Sequence, residues 1–147
     1  EKIKEAAPAA GFEVVEVGVD NVNDIQQRIT SLAGRADVIY VPSSNLIQPA
    51  VAAVAAAARQ IGVPVVNSDD GAVRDGIVPA SFAVNFIQVG VNAGNIAAQI
   101  LNGAEPQSIA PIVPAYEDHS PLISRSLLEA YGVELPDTFA DCDCVID

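Results

Sequence analysis

Three short apolar runs, Val38 to Val41, Val63 to Val66 and Phe82 to Val84, stop abruptly at small polar residues: Ser43-Ser44-Asn45, Asn67-Ser68-Asp69-Asp70, and Asn85. Runs of this length, rich in β-branched residues and bounded by turn formers, predict short buried strands. An earlier run, Phe12 to Val19, alternates apolar residues with Glu13 and Glu16 and predicts a further strand. The segments between carry helical spacing. Val22, Ile25, Ile29 and Leu32 form one stripe, opened by Asn23 as a cap with Gln26 three residues on, and closed by Gly34. Asn45 with Gln48 repeats the device for an Ala-rich helix that runs to about Gln60 and closes at Gly62. Phe86 to Leu101 is the longest helix, with Val89, Ala93, Ile96, Ala97 and Ile100 as its expected buried stripe, and it ends at Asn102-Gly103. Glu1 to Ala10 reads as the end of a helix, stopped by Gly11.

The order strand, helix, strand, helix, strand predicts an α/β fold, a Rossmann-like parallel sheet flanked by helices. In such sheets the carboxyl ends of the strands lie side by side, so polar groups just past each strand converge on one crevice. Beyond Gly103 the texture changes. Ala104 to Pro114 holds three prolines and reads as a linker, Leu122 to Tyr131 reads as a helix ended by Gly132, and Val133 to Asp147 is acidic and irregular with no evident place in the sheet. Two segments follow: residues 1–110 as the sheet-forming lobe and 111–147 as a crossover and tail.

At 147 residues, half of them apolar, the chain can bury the core of one domain. Its formal charge of −12, from 7 basic and 19 acidic residues, repels phosphate backbones and disfavours nucleic-acid binding. The stretch from Pro49 to Ala58 is too short to span a bilayer. The chain opens at Glu1 with no initiator Met and no signal-peptide pattern, and is expected to be a processed product or part of a longer polypeptide. Cys142 and Cys144 stand one residue apart at the end, too close for an easy disulfide and too few for a structural zinc site, so they are expected to be incidental.

Catalytic patterns are missing from the sequence. The only histidine, His119, lies in the Pro-rich region, no G-x-S-x-G elbow occurs, and neither G-x-G-x-x-G nor a P-loop is present, so no enzyme activity, cofactor or metal is expected. Asp69-Asp70 evokes the acidic cluster of a phospho-acceptor receiver domain, which would also want a Lys at a later strand end. Binding a small zwitterion suits the residues better. Hydroxyls of Ser43, Ser44 and Ser68 and a helix N-terminus can hold a carboxylate, and Asp69 can hold an ammonium. The same residues have a plainer use, since Asn45, Ser68, Asp69 and Asn85 can each simply cap the helix that follows.

Three runs together, Ala36 to Asn45, Ile61 to Asp69 and Ala83 to Gly90, followed by Ala97 to Pro106 and Ala130 to Pro136, resemble the second lobe of ABC transporter substrate-binding proteins of the tryptophan/tyrosine-binding type. The resemblance covers nearly the whole chain. It implies one lobe of a type I periplasmic-binding-protein fold, with the first lobe and the first strand of this one absent from these residues. It further implies a periplasmic or lipid-anchored receptor that closes like a hinge on an amino acid, aromatic by expectation, and delivers it to a membrane permease. Ser44, Asn45, Ser68, Asp69 and Asn85 then line the cleft. Ser44 stands where that family commonly has Asp, and Ala72 where it has Ser. The partners implied are the small-molecule ligand, the ABC permease, and the missing lobe or a complementing chain. A sugar or nucleoside receptor, or the effector domain of a transcriptional regulator, would use a related fold; the first would want more aromatic surface than Tyr40, Phe82 and Phe86 offer.

Overall fold

The structure, a computed structural model, describes residues 2–147; Glu1, which opens the expected first helix, lies outside the described residues. The fold is a mixed α/β sheet of five strands flanked by helices, with strand order β1-β2-β3-β4-β5. The strands are β1 (Ile39–Val41), β2 (Val65–Asn67), β3 (Ala80–Val84), β4 (His119–Ser124) and β5 (Val145–Ile146). The backbone divides into two units, Glu1–Val66 and Asn67–Asp147.

In the first unit, α1 (Lys2–Ala6) passes into a tighter turn over Ala7–Ala10 and stops at Gly11, whose φ of 79° is the left-handed conformation that a residue with a Cβ rarely adopts. The helix α2 (Ile25–Thr30) buries Ile25 and Ile29, and Leu32 completes the expected stripe, whereas Val22 remains exposed. Its entry is capped by Asn21, which accepts from the Asn23 amide at 2.9 Å, two residues before the expected cap. The helix α3 (Val51–Ile61) packs on α2 and buries Val51, Val54, Ala55 and Ala58, the spacing of one helical face. It begins six residues later than Asn45 because Pro49 has no N–H for the helical ladder, so residues 48–50 form a 3-10 turn first.

One expected strand is not formed. Residues 12–19 carry the alternating pattern but no strand assignment, and no backbone hydrogen bond described in the structure involves residues 13–19. Alternation sets which side chains share a face, but a strand exists only when a neighbour takes its N–H and C=O groups. Phe12 is 64% exposed.

The second unit holds α4 (Gly71–Arg74), α5 (Phe86–Leu101) and α6 (Arg125–Glu129) around β3, β4 and β5. The sheet is not parallel throughout: β4 runs antiparallel to β3, with Phe82 opposite Pro121 and Val84 opposite His119. β5 then pairs parallel to β4, at Ile123 and Ser124. Residues read as crossover, helix start and irregular tail thus supply two strands. Pro121 is tolerated because β5 reaches only the last two residues of β4, leaving the flank of Pro121 away from β3 as an edge. The helix expected over Leu122 to Tyr131 is confined to α6, and Ser124 caps it by accepting from the Leu127 amide. Cys142 and Cys144 are joined in a disulfide beside β5, where the Cys144 carbonyl accepts from the Ile123 amide at 2.8 Å.

The core of this unit is Ala72, Val73, Val78, Ala83, Leu122 and Ile123. The helix α5 forms as expected, yet none of its 16 residues is buried, so its apolar stripe is not covered among the described residues. Truncation therefore separates the two kinds of apolar position. Ile25→Ala, at a residue 1% exposed, is expected to cost about 2–5 kcal/mol in urea unfolding followed by circular dichroism. Leu101→Ala, at a residue 87% exposed, is expected to stay within about 0.5 kcal/mol of the parent.

Candidate functional site

Each strand end delivers its polar residues into a turn that leads to a helix. Ser44 and Asn45, after β1, belong to the first unit. Half-buried Ser44, not Asn45, holds this turn: its Oγ accepts from the amides of Leu46 and Ile47 at 3.3 and 3.4 Å, and α3 itself starts without a side-chain cap. The turn is closed further by the Gln48 amide, which donates to the Ser44 carbonyl at 2.9 Å, and by Gln48 Nε2, which donates to the Pro42 carbonyl at 3.2 Å. Asn45 is exposed, and its side chain makes no hydrogen bond among the described residues.

Ser68, Asp69 and Asn85 belong to the second unit. Buried Asn67 ends β2 and accepts from the Ser68 amide at 3.0 Å. Asp69 Oδ1 accepts from the Gly71 amide at 2.9 Å, which satisfies one of the free N–H groups at the start of α4 and leaves Oδ2 without a described partner. Its neighbour Asp70 is occupied differently: Asp70 Oδ2 takes both Arg74 Nε and Nη2, each at 2.8 Å, so the nearby cation is spent on Asp70. Asn85 Oδ1 accepts from the Ile87 and Gln88 amides at 3.0 and 3.2 Å, the N-cap of α5. Because the capping atom accepts from N–H groups it must be the oxygen, so Nδ2 is the atom left over.

The two uses of these side chains are therefore compatible. Capping fixes one atom of Asp69 and one of Asn85, and leaves a carboxylate oxygen on the first and an amide donor on the second. No described hydrogen bond joins Asp69 to Asn85. Gly71 was not singled out from the sequence, although its role is clear in the structure: a Cβ there would stand 2.9 Å from Asp69 Oδ1, so a side chain would force the carboxylate to move. The spacing Asp-x-Gly at a helix start was the available signal. Ala72 is buried in the core and presents nothing polar.

His119 is not a loop residue. It starts β4, lies 5.5 Å from the Phe82 ring in a stacked pair, and its Nδ1 is 2.8 Å from the Ala115 carbonyl. Among the described residues no group of His, Cys, Asp and Glu could hold a metal ion, and no helix is long and apolar enough to cross a membrane.

The model of the ABC transporter substrate binding protein family matches residues 1–141. The chain belongs to that family. A tyrosine-binding protein from Clostridioides difficile (strain R20291) is 28% identical over 134 residues, 91% of this chain and 38% of the relative. The ABC domain from Streptococcus pneumonia, solved in complex with L-Trp, superposes with a TM-score of 0.86 at 25% identity. The ligand-free, open structure of a substrate-binding protein with adhesive properties from Clostridium difficile gives 0.69 at 30% identity. Both solved chains cover 99% of this chain, which spans 48% of each of them. The chain thus corresponds to about half the length of its relatives, and members of the family are substrate-binding proteins rather than enzymes.

Asn85 separates capping from any further role. Asn85→Ala is expected to lower stability by about 1 kcal/mol, while Asn85→Asp, an equally good cap, is expected to stay near the parent in the same urea titration.

Proposed function

We propose that this chain forms one wall of an amino-acid cleft in a hinged receptor that supplies an ABC importer from outside the cytoplasm. Ser44, Asn45, Ser68, Asp69 and Asn85 line that wall. The observation that carries the reading is the spare hydrogen-bonding capacity at the strand ends: the unbonded Asn45 amide, Asp69 Oδ2 and Asn85 Nδ2. Asp69, with the local Arg already paired to Asp70, takes the ligand ammonium; the N-terminus of the 16-residue α5, with Asn85 Nδ2, receives the carboxylate. An aromatic amino acid is favoured over a sugar by the tyrosine-binding relative and by the L-Trp complex of the pneumococcal one.

In a hinged receptor both lobes contribute contacts, so these residues alone bind more weakly than the two-lobed protein. The missing lobe, carried by the same polypeptide or by a complementing chain, supplies the opposite wall, and the ABC permease receives the ligand.

Calorimetry on the full-length gene product with L-tyrosine and L-tryptophan tests the assignment. Asp69→Ala is expected to cost about 2–5 kcal/mol of affinity, because it leaves a desolvated ammonium unpaired. Unchanged affinity removes Asp69 from the site. Asn85→Asp is expected to weaken binding at least tenfold while keeping the helix cap, since it puts a second acceptor where the ligand carboxylate needs a donor.

A further inference from the structure

The disulfide between Cys142 and Cys144 takes no part in the candidate site, and the pair lies outside residues 1–141, which the family model matches. It closes a loop with one residue, Asp143, inside. A bridge restricts the unfolded chain less the shorter the loop it closes, so this one adds little to global stability and acts locally. The Val145 amide donates to the Cys142 carbonyl at 3.0 Å, which folds residues 142–145 into a turn around the bridge. From that turn the Cys144 carbonyl accepts from the Ile123 amide at 2.8 Å, so the turn delivers β5 to β4. β5 has only two residues, both half-buried, pairing with Ile123 and Ser124. Beyond this pairing, the Ser124 hydroxyl donates to the Asp147 carbonyl at 3.2 Å. So short a strand depends on the turn that places it.

The bridge is also open to reagents. Both cysteines are only half-buried, and their neighbours Asp141 and Asp143 are exposed. Exposed disulfides are the ones that exchange with external thiols. The two sulfurs are not equivalent, because the Cys144 amide donates to Cys142 Sγ at 3.2 Å. A backbone N–H bonds an anionic sulfur more strongly than a neutral one, so the contact strengthens as the S–S bond breaks toward Cys142. Cys142 is therefore the better leaving sulfur, and Cys144 Sγ is the atom that an incoming thiolate attacks.

We propose that Cys142 and Cys144 form a thiol–disulfide exchange site whose opening frees β5 from β4. The thiolate of a dithiol bonds to Cys144 Sγ; the S–S bond breaks, and its electron pair passes to Cys142 Sγ, which takes a proton from water. The second thiol of the reactant, once deprotonated, attacks its own partner sulfur in the mixed disulfide and displaces Cys144, which is protonated in turn. The dithiol ends as a disulfide, and the electron pair and protons it loses are those that Cys142 and Cys144 gain. The carboxylates of Asp141 and Asp143 repel an anionic thiol, so the reactant is a neutral or cationic dithiol. Without the bridge the turn at 142–145 loosens, and the Ile123 amide loses the Cys144 carbonyl.

Reduction of the folded full-length gene product with dithiothreitol, a neutral dithiol, followed by alkylation, peptide mass mapping and NMR amide exchange, tests the proposal. Alkyl labels are expected on both Cys142 and Cys144 without denaturant. The Ile123 amide is expected to exchange roughly tenfold faster or more than in the oxidised protein, and to return to its first rate on reoxidation. With neutral mercaptoethanol and rapid acid quenching, the mixed disulfide is expected on Cys144. It is expected to form faster than with anionic glutathione at equal thiolate concentration, with salt narrowing the gap. A bridge that stays closed until the protein unfolds would overturn the exchange site. Labelling at both cysteines with Ile123 exchange unchanged would overturn the release of β5. An adduct on Cys142 would overturn the direction of attack, and equal rates with both thiols would overturn the preference for neutral or cationic reactants.

Discussion

Where a strand turns directly into a helix, the first amides of the helix lose their ladder partners and must be satisfied inside the turn. The structure meets this twice with a short polar side chain at the strand end, Asp69 after β2 and Asn85 after β3, while Ser44 after β1 holds the amides of the turn that precedes α3. Much of the candidate site follows from that constraint. A side chain whose oxygen is held by one or two backbone amides has lost its rotamer freedom before any ligand arrives, so its remaining atom is presented at low entropic cost. Capping is thus compatible with the binding role proposed for the same residue, and Gly71 shows how close the fit is, since a methyl there would reach Asp69 Oδ1.

The features legible in the sequence were those decided by neighbours in the chain. Gly11 and Gly62 stop helices in the left-handed conformation, β1, β2 and β3 fall within two residues of their expected positions, and the α2 stripe from Ile25 to Leu32 is buried. The candidate site residues were picked out for the same reason, because a polar residue just past an apolar run is a local pattern. Even so, the expected cap at Asn45 is not used: Pro49 leads into α3 through a 3-10 turn, α3 itself has no side-chain cap, and Ser44 accepts from amides of the turn before it.

Features decided by distant partners were not legible. Residues 12–19 alternate as a strand should, but no described neighbour pairs with residues 13–19, and alternation alone does not make a strand. β4 was hidden because Pro121 argues against a strand unless one flank is known to be an edge, and that depends on the two residues of β5. Helical spacing in α5 showed an apolar face and could not show what covers it; all 16 of its residues lie outside the core.

The most direct test of the account is a crystal structure of the full-length gene product with L-tryptophan or L-tyrosine bound. The account predicts the ligand ammonium within hydrogen-bond distance of Asp69 Oδ2 and its carboxylate at Asn85 Nδ2 and the start of α5, with both caps intact. A ligand held elsewhere, with Asp69 and Asn85 bonded only to their own helices, would contradict it and leave these residues as caps alone.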